Sequence, residues 1–129
     1  MLISPIEMIL YIALNIYHEA RSDPPMGQLA VAHVTLNRMK KTGTSAKEVV
    51  YKPYQFSWTH QKENHWPDDI KSFAKCVKYT IIAINGHDFT DGSTFYYKKG
   101  TREPHWARNK TYVAQYGSHK FYKNLMANR

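Results

Sequence analysis

Residues 4–20 read SPIEMILYIALNIYHEA. Ser4, with Glu7 three positions on, has the form of a capping box, and Pro5 falls at the first helical position, where its missing N–H is not needed. The spacing predicts a helix from Pro5 to about Ala20. Ile6, Ile9, Leu10, Ala13, Leu14 and Tyr17 form one stripe of that helix, while Met8, Ile12 and Ile16 cover much of its other side. A helix apolar nearly all round belongs at the centre of a core. The rest of the chain is expected to wrap around it.

Asp23-Pro24-Pro25 interrupts the chain and is expected to cap a second helix, roughly Met26 to Lys40, with Leu29, Ala30, Val34 and Leu36 among its apolar positions. After the turn Thr42-Gly43-Thr44, Ser45 and Glu48 repeat the capping-box spacing for a short third helix, which Lys52-Pro53 ends. Tyr54 to His65 is aromatic and polar without a period, the pattern of a loop that lines a surface. Pro67-Asp68-Asp69 opens a fourth helix that stops before Gly86, with Ile70, Phe73, Ala74, Val77, Ile81 and Ile84 as its apolar set. Beyond Gly86 the character changes. Asp91-Gly92 is a turn, Thr94 to Tyr97 is short and extended, and Lys110 to Tyr116 with His119 to Tyr122 flank Gly117-Ser118 as a hairpin. Helices first and a small antiparallel element after them predict an α+β fold, one domain over residues 1–129.

The chain has 129 residues, 43% hydrophobic and 22% charged, a balance that excludes a disordered or fibrous protein. The apolar run Met8 to Leu14 falls well short of the ~20 residues that span a bilayer. It follows Glu7 rather than a cluster of cations, so no secretory signal is expected. A single cysteine, Cys76, excludes an internal disulfide and a Cys-rich zinc site.

Eighteen Lys and Arg against ten Asp and Glu give a net charge of +8. From Gly92 onward the cations are Lys98, Lys99, Arg102, Arg108, Lys110, Lys120, Lys123 and Arg129, against Glu103 alone. Such a field favours a polyanion: nucleic acid, anionic lipid or an acidic wall polymer. Positive charge interleaved with ten Tyr and three Trp also suits a single-stranded nucleic acid. No nucleic-acid motif accompanies it, and none is expected as a partner.

Glu19 lies near the end of the first helix, on the side of Asn15, Ile16, Ile12 and Met8. Desolvation by these neighbours and the negative end of the helix dipole would both raise its pKa. A carboxyl kept protonated near neutral pH is what a general acid requires. The same position also suits a structural ion pair with Arg21. Tyr54-Gln55-Phe56-Ser57-Trp58 sets a neutral amide and a hydroxyl among aromatics, apt for holding a sugar and equally apt for a loop closing over the core. Of the seven histidines, none stands in a convincing ligand spacing: His18-Glu19 has Ser22 where a helical zinc pair needs its second His, and His60 and His65 fall in a loop. No metal or cofactor is expected.

Ile16-Tyr17-His18-Glu19-Ala20-Arg21, Gly27-Gln28-Leu29-Ala30-Val31-Ala32 and Leu36-Asn37-Arg38 together resemble the SleB-like cell-wall hydrolases, the spore cortex-lytic enzymes and their relatives, bacteriophage lysins included. The resemblance continues through Val49-Val50-Tyr51, Gln55-Phe56-Ser57, Asp91-Gly92-Ser93-Thr94-Phe95-Tyr96-Tyr97, Pro104-His105-Trp106-Ala107-Arg108 and Gly117-Ser118-His119-Lys120-Phe121-Tyr122. It spans about residues 12 to 122, with the motifs in order. It implies a lysozyme-like catalytic domain that cleaves the MurNAc–GlcNAc β-1,4 bond of peptidoglycan, as a lytic transglycosylase. It makes Glu19 the catalytic acid, by its place in Glu-Ala-Arg, and sets Gln55, Phe56 and Ser57 along the cleft. Tyr97, Trp106 and His119 fall in family motifs as further substrate-binding candidates, and Trp106 suits the core as well. Two positions depart from the pattern. Ser22 replaces the usual Gly after Glu-Ala-Arg, and Phe95 and Lys98 flank Tyr96-Tyr97 where relatives carry His and Asn.

A double-carboxylate glycosidase needs a second acid. Asp23, Glu48, Glu63 and Asp91 stand in no motif that marks one of them. A transglycosylase needs one carboxyl, because the sugar's own 6-hydroxyl replaces water and closes a 1,6-anhydro ring; a hydrolytic muramidase acting on the same bond is the alternative. The basic C-terminal third is then expected to meet the anionic envelope. The further expectations are a monomer, made in a host cytoplasm without a signal peptide and acting on the wall after release, as a phage lysin does.

Overall fold

The computed structural model describes residues 4–61 and 63–125. Among these residues five α-helices, α1 (Pro5–Ala20), α2 (Pro25–Thr42), α3 (Ala46–Val50), α4 (Trp58–Gln61) and α5 (Ile70–Asn85), precede three strands, β1 (Phe95–Lys98), β2 (Lys110–Tyr116) and β3 (His119–Asn124), with a 3-10 turn (His105–Asn109) between β1 and β2. The strands form one antiparallel sheet in the order β1-β3-β2. The α+β expectation holds.

The helix starts follow their caps. Ser4 Oγ accepts from the Glu7 amide, and both halves of the Ser45–Glu48 box are made. Asp69 caps α5 by accepting from the Ser72 amide at 3.1 Å. Asp23 does not cap α2. Pro24 holds that position without a side-chain bond, and Asp23 reaches instead to the β2–β3 turn. There its carboxylate accepts from Ser118 Oγ at 2.6 Å and from the Ser118 amide at 3.2 Å, and it faces His119 Nδ1 at 3.0 Å. Two glycines make room for this clasp. A Cβ at Gly117, whose φ is +59°, would stand 2.7 Å from Asp23 Oδ2, and one at Gly27 would stand 2.8 Å from it.

The first helix is central, as its composition predicts. Ile12, Ala13 and Ile16 are fully buried among Ala30, Val31 and Val34 of α2, Cys76 and Ala83 of α5, and Phe121 of β3. Each large side chain so buried contributes about 1.5–3 kcal/mol. A second cluster, Leu14, Val50, Phe56 and Trp58, joins α1 to α3 and the segment after it. Two elements differ from the sequence expectation. Trp58–Gln61, expected as irregular, forms one helical turn because the indole of Trp58 is buried. The inward face of α5 is Cys76, Thr80 and Ala83, with Phe73 and Val77 at its border, while Ile70, Ile81 and Ile82 are exposed. Small side chains let α5 approach α1 closely, so size rather than hydropathy chose the face. Cys76 is inert packing: burial pushes its thiol up to about 12.

Candidate active site

Glu19 is the penultimate residue of α1 and is half-buried. Asn15, one turn earlier on the same face, is fully buried and receives a hydrogen bond from Trp58 Nε1 at 2.9 Å on its Oδ1. That contact fixes the amide, so Asn15 Nδ2 turns to Tyr96 Oη at 3.4 Å, and the Tyr96 hydroxyl donates to Glu19 Oε1 at 3.0 Å. The donors run one way, from indole to amide to phenol to carboxyl. Burial first, and then the charge of Glu19, push the Tyr96 phenol well above its ordinary value. It therefore stays a neutral donor at any working pH. The helix supplies the acid and the sheet supplies the group that orients it.

Arg21, the ion-pair candidate for Glu19, donates to the Tyr17 carbonyl at 2.9 Å and lies over the Tyr17 ring. The other acids have partners of their own: Asp23 in its clasp, Glu48 in the capping box, Asp91 on Lys123. Glu63 lines a separate hollow with Leu10, Tyr11 and Trp66.

The loop residues divide by exposure. Phe56 is buried and stacks on Tyr96 at 6.1 Å between ring centroids. Gln55 and Ser57 on either side of it are exposed. Gln55 Oε1 accepts from Arg38 Nη1 at 3.2 Å, and Arg38 Nε donates to the Thr94 carbonyl at 2.7 Å. Burial pulls Arg38 below its ordinary pKa, and the charge of Glu19 opposes that shift.

Tyr97 lies one residue beyond Tyr96 and so projects from the opposite face of β1. It joins Trp106 and Tyr122 in an aromatic cluster, with the Tyr97 and Tyr122 rings stacked at 5.9 Å. Trp106 also meets Phe95. His119 is buried, bound to Asp23, with its ring edge-on to Tyr96 at 5.2 Å. The structure thus brings Glu19 together with Phe56 and Tyr96 and leaves Tyr97 and Trp106 on the sheet's other face. Sequence reasoning missed Asn15, Arg38, Trp58 and Tyr96. Two patterns point to part of this set: the i, i+4 step from Asn15 to Glu19, and the alternation that puts only one of two adjacent tyrosines on the helix side.

A family model described as Cell Wall Hydrolase matches residues 22–122. The span opens three residues past Glu19, so the part assigned to that residue rests on the geometry above. A spore cortex-lytic enzyme of Halalkalibacterium halodurans is 29% identical over 116 residues, 88% of this chain and 34% of that protein. One of Oceanobacillus iheyensis is 30% identical over 119 residues, 89% of this chain and 41% of that protein. The chain therefore spans less than half the length of these curated relatives. Among solved structures, the catalytic domain of the germination-specific lytic transglycosylase SleB from Bacillus anthracis superposes with a TM-score of 0.75 at 27% identity, covering 94% of this chain and 97% of that one. The catalytic domain of the Bacillus cereus SleB protein gives 0.77 at 27% identity, covering 92% and 91%. With a family model matched over most of its length and the same fold in both solved relatives, the chain belongs to the Cell Wall Hydrolase family.

Proposed function

We propose that this protein is a peptidoglycan lytic transglycosylase that cleaves the MurNAc–GlcNAc β-1,4 bond with Glu19 as its single acid and base. The observation that carries the reading is the half-buried Glu19 carboxyl held at Oε1 by Tyr96, in a chain that shares its fold with a solved lytic transglycosylase domain. Glu19 donates its proton to the glycosidic oxygen as the bond to MurNAc breaks. The resulting carboxylate then takes the proton of the MurNAc 6-hydroxyl as that oxygen closes on C1. One bond breaks, one forms, the proton returns to Glu19, and water is not consumed. Gln55 and Ser57, exposed beside Phe56, hold the sugar by neutral hydrogen bonds.

Mass spectrometry of digested peptidoglycan tests the reaction. The expected products end in 1,6-anhydro-MurNAc and are lighter by one water than hydrolysed ones; reducing ends alone would replace this mechanism with that of a muramidase.

Lys98 at the end of β1, and Lys99, Arg102 and Arg108 between β1 and β2, are exposed, whereas Lys123 is paired with Asp91. Arg129 lies outside the described residues. We assign the exposed set to attraction toward the anionic envelope. Raising salt from about 0.05 M to about 0.5 M is expected to slow whole-cell lysis at least about fivefold while soluble glycan fragments are cut nearly as before. Equal salt responses on both substrates would remove this role. Action on the wall after release, in the manner of a phage lysin, accords with that charge and with a substrate outside the membrane.

A further inference from the structure

A groove of about 490 Å³ is lined by Arg38, Lys41, Lys52, Glu48, Gln55 and Thr94 among others, and Arg38 links it to the site, lying 5.2 Å from the centroid of the Phe56 ring that stacks on Tyr96. Arg38 belongs to both places, since it lines the groove and feels the charge of Glu19. Three cations face the groove against one carboxylate, and that carboxylate is engaged: Glu48 Oε1 accepts from the backbone and the hydroxyl of Ser45 at 3.2 and 3.1 Å. Among the described residues no carboxylate forms an ion pair with Lys41 or Lys52. Two N–H groups of Arg38 are spent on the Thr94 carbonyl and Gln55. A guanidinium has five, in a fork that matches a carboxylate.

The backbone shows a second sign of a built site. The Gln55 amide donates to the Lys52 carbonyl at 3.2 Å, closing a tight turn in which Tyr54 takes φ +66°. A bulky residue in the left-handed region is strained, and such strain persists where the surroundings demand a particular side-chain placement. Lys52 and Gln55, the first and last residues of that turn, both line the groove. Tyr54 itself is 92% exposed, so burial of its ring does not explain the turn.

We infer that this groove is an anion subsite that takes a carboxylate of the peptide stem carried by the muramic acid, so that the enzyme selects peptide-bearing glycan at the bond it cuts. The inference rests on the transglycosylase reading, which supplies the substrate. A half-buried cation loses hydration and gains most from an anion delivered into the same pocket.

The test compares kcat/KM of the full chain on glycan strands whose stem carboxylates are free and on the same strands after those carboxylates are converted to primary amides. A preference of roughly tenfold for the free carboxylates is expected, the worth of one charge-assisted pair. The exposed pair Lys41→Gln/Lys52→Gln is expected to bring that ratio within about two- to threefold, as the field in the groove weakens. Equal cleavage of both strands by the wild type, or an unchanged ratio in the double variant, overturns the subsite and leaves the transglycosylase reading standing. Cleavage of neither strand removes the reading itself. In that event titration decides the subsite: a stem tripeptide should saturate the intact chain while its fully amidated counterpart should not. Matching affinities, binding by neither, or tighter saturation by inorganic phosphate would each overturn the carboxylate assignment.

Discussion

Glu19→Gln is expected to lower the rate of sacculus lysis about 10²–10⁴-fold, the usual worth of a positioned acid and base. That loss corresponds to about 3–5 kcal/mol of transition-state stabilisation. The substitution keeps the shape of the side chain and an oxygen that accepts from Tyr96 at the place where Glu19 Oε1 does at 3.0 Å. The indole, amide and phenol behind it therefore stay in register, and the melting temperature should move little. Only the transferable proton goes. A structural ion pair at Glu19 would give the opposite pattern, a lower melting temperature with activity largely kept. Lysis within a few-fold of the wild type would end the assignment of the acid.

The second large effect is on stability. Asp23→Ala removes the acceptor for both the amide and the hydroxyl of Ser118 and leaves buried His119 without its partner. Stranding buried polar groups in this way costs about 3 kcal/mol, near 10 °C in melting temperature for a chain of this size. Asp23→Asn keeps one acceptor and should fall between the two. The loss should also reach the chemistry. His119 pairs with Lys98 of β1 and packs its ring against Tyr96, so a loosened β2–β3 turn lets the phenol drift from Glu19 and lowers kcat more than it raises KM. Thermal melts and steady-state kinetics on the same preparation check both parts. A cost below about 1 kcal/mol would show that the clasp is idle.

The helical frame was legible in the sequence because caps and apolar spacing act locally. Ser4 with Pro5, Ser45 with Glu48 and Gly86 placed their helix ends to within a residue or two of those observed. Glu19 stood out for the same reason, as a carboxyl among apolar neighbours on one helix. What orients it was not legible. Tyr96 is 77 residues away in the chain, and nothing local distinguishes it from Tyr97 until the pleat of β1 and the register with Phe121 are fixed. Asp23 misled in the same manner. Beside two prolines it has the look of a helix cap, yet its partners, Ser118 and His119, come from the hairpin at the far end of the chain. The apolar face of α5 was misjudged because hydropathy ranks isoleucine above cysteine, threonine and alanine, whereas a close helix contact favours the small side chains. Long-range pairing and steric fit are properties of the assembled fold.

The clasp around Asp23 bears on how this chain diverges. Five positions, 23, 27, 117, 118 and 119, share one crowded space in which a single added carbon at either glycine collides with the carboxylate. A lone change at any of them is penalised by the other four, so lineages should alter them in concert or keep them all.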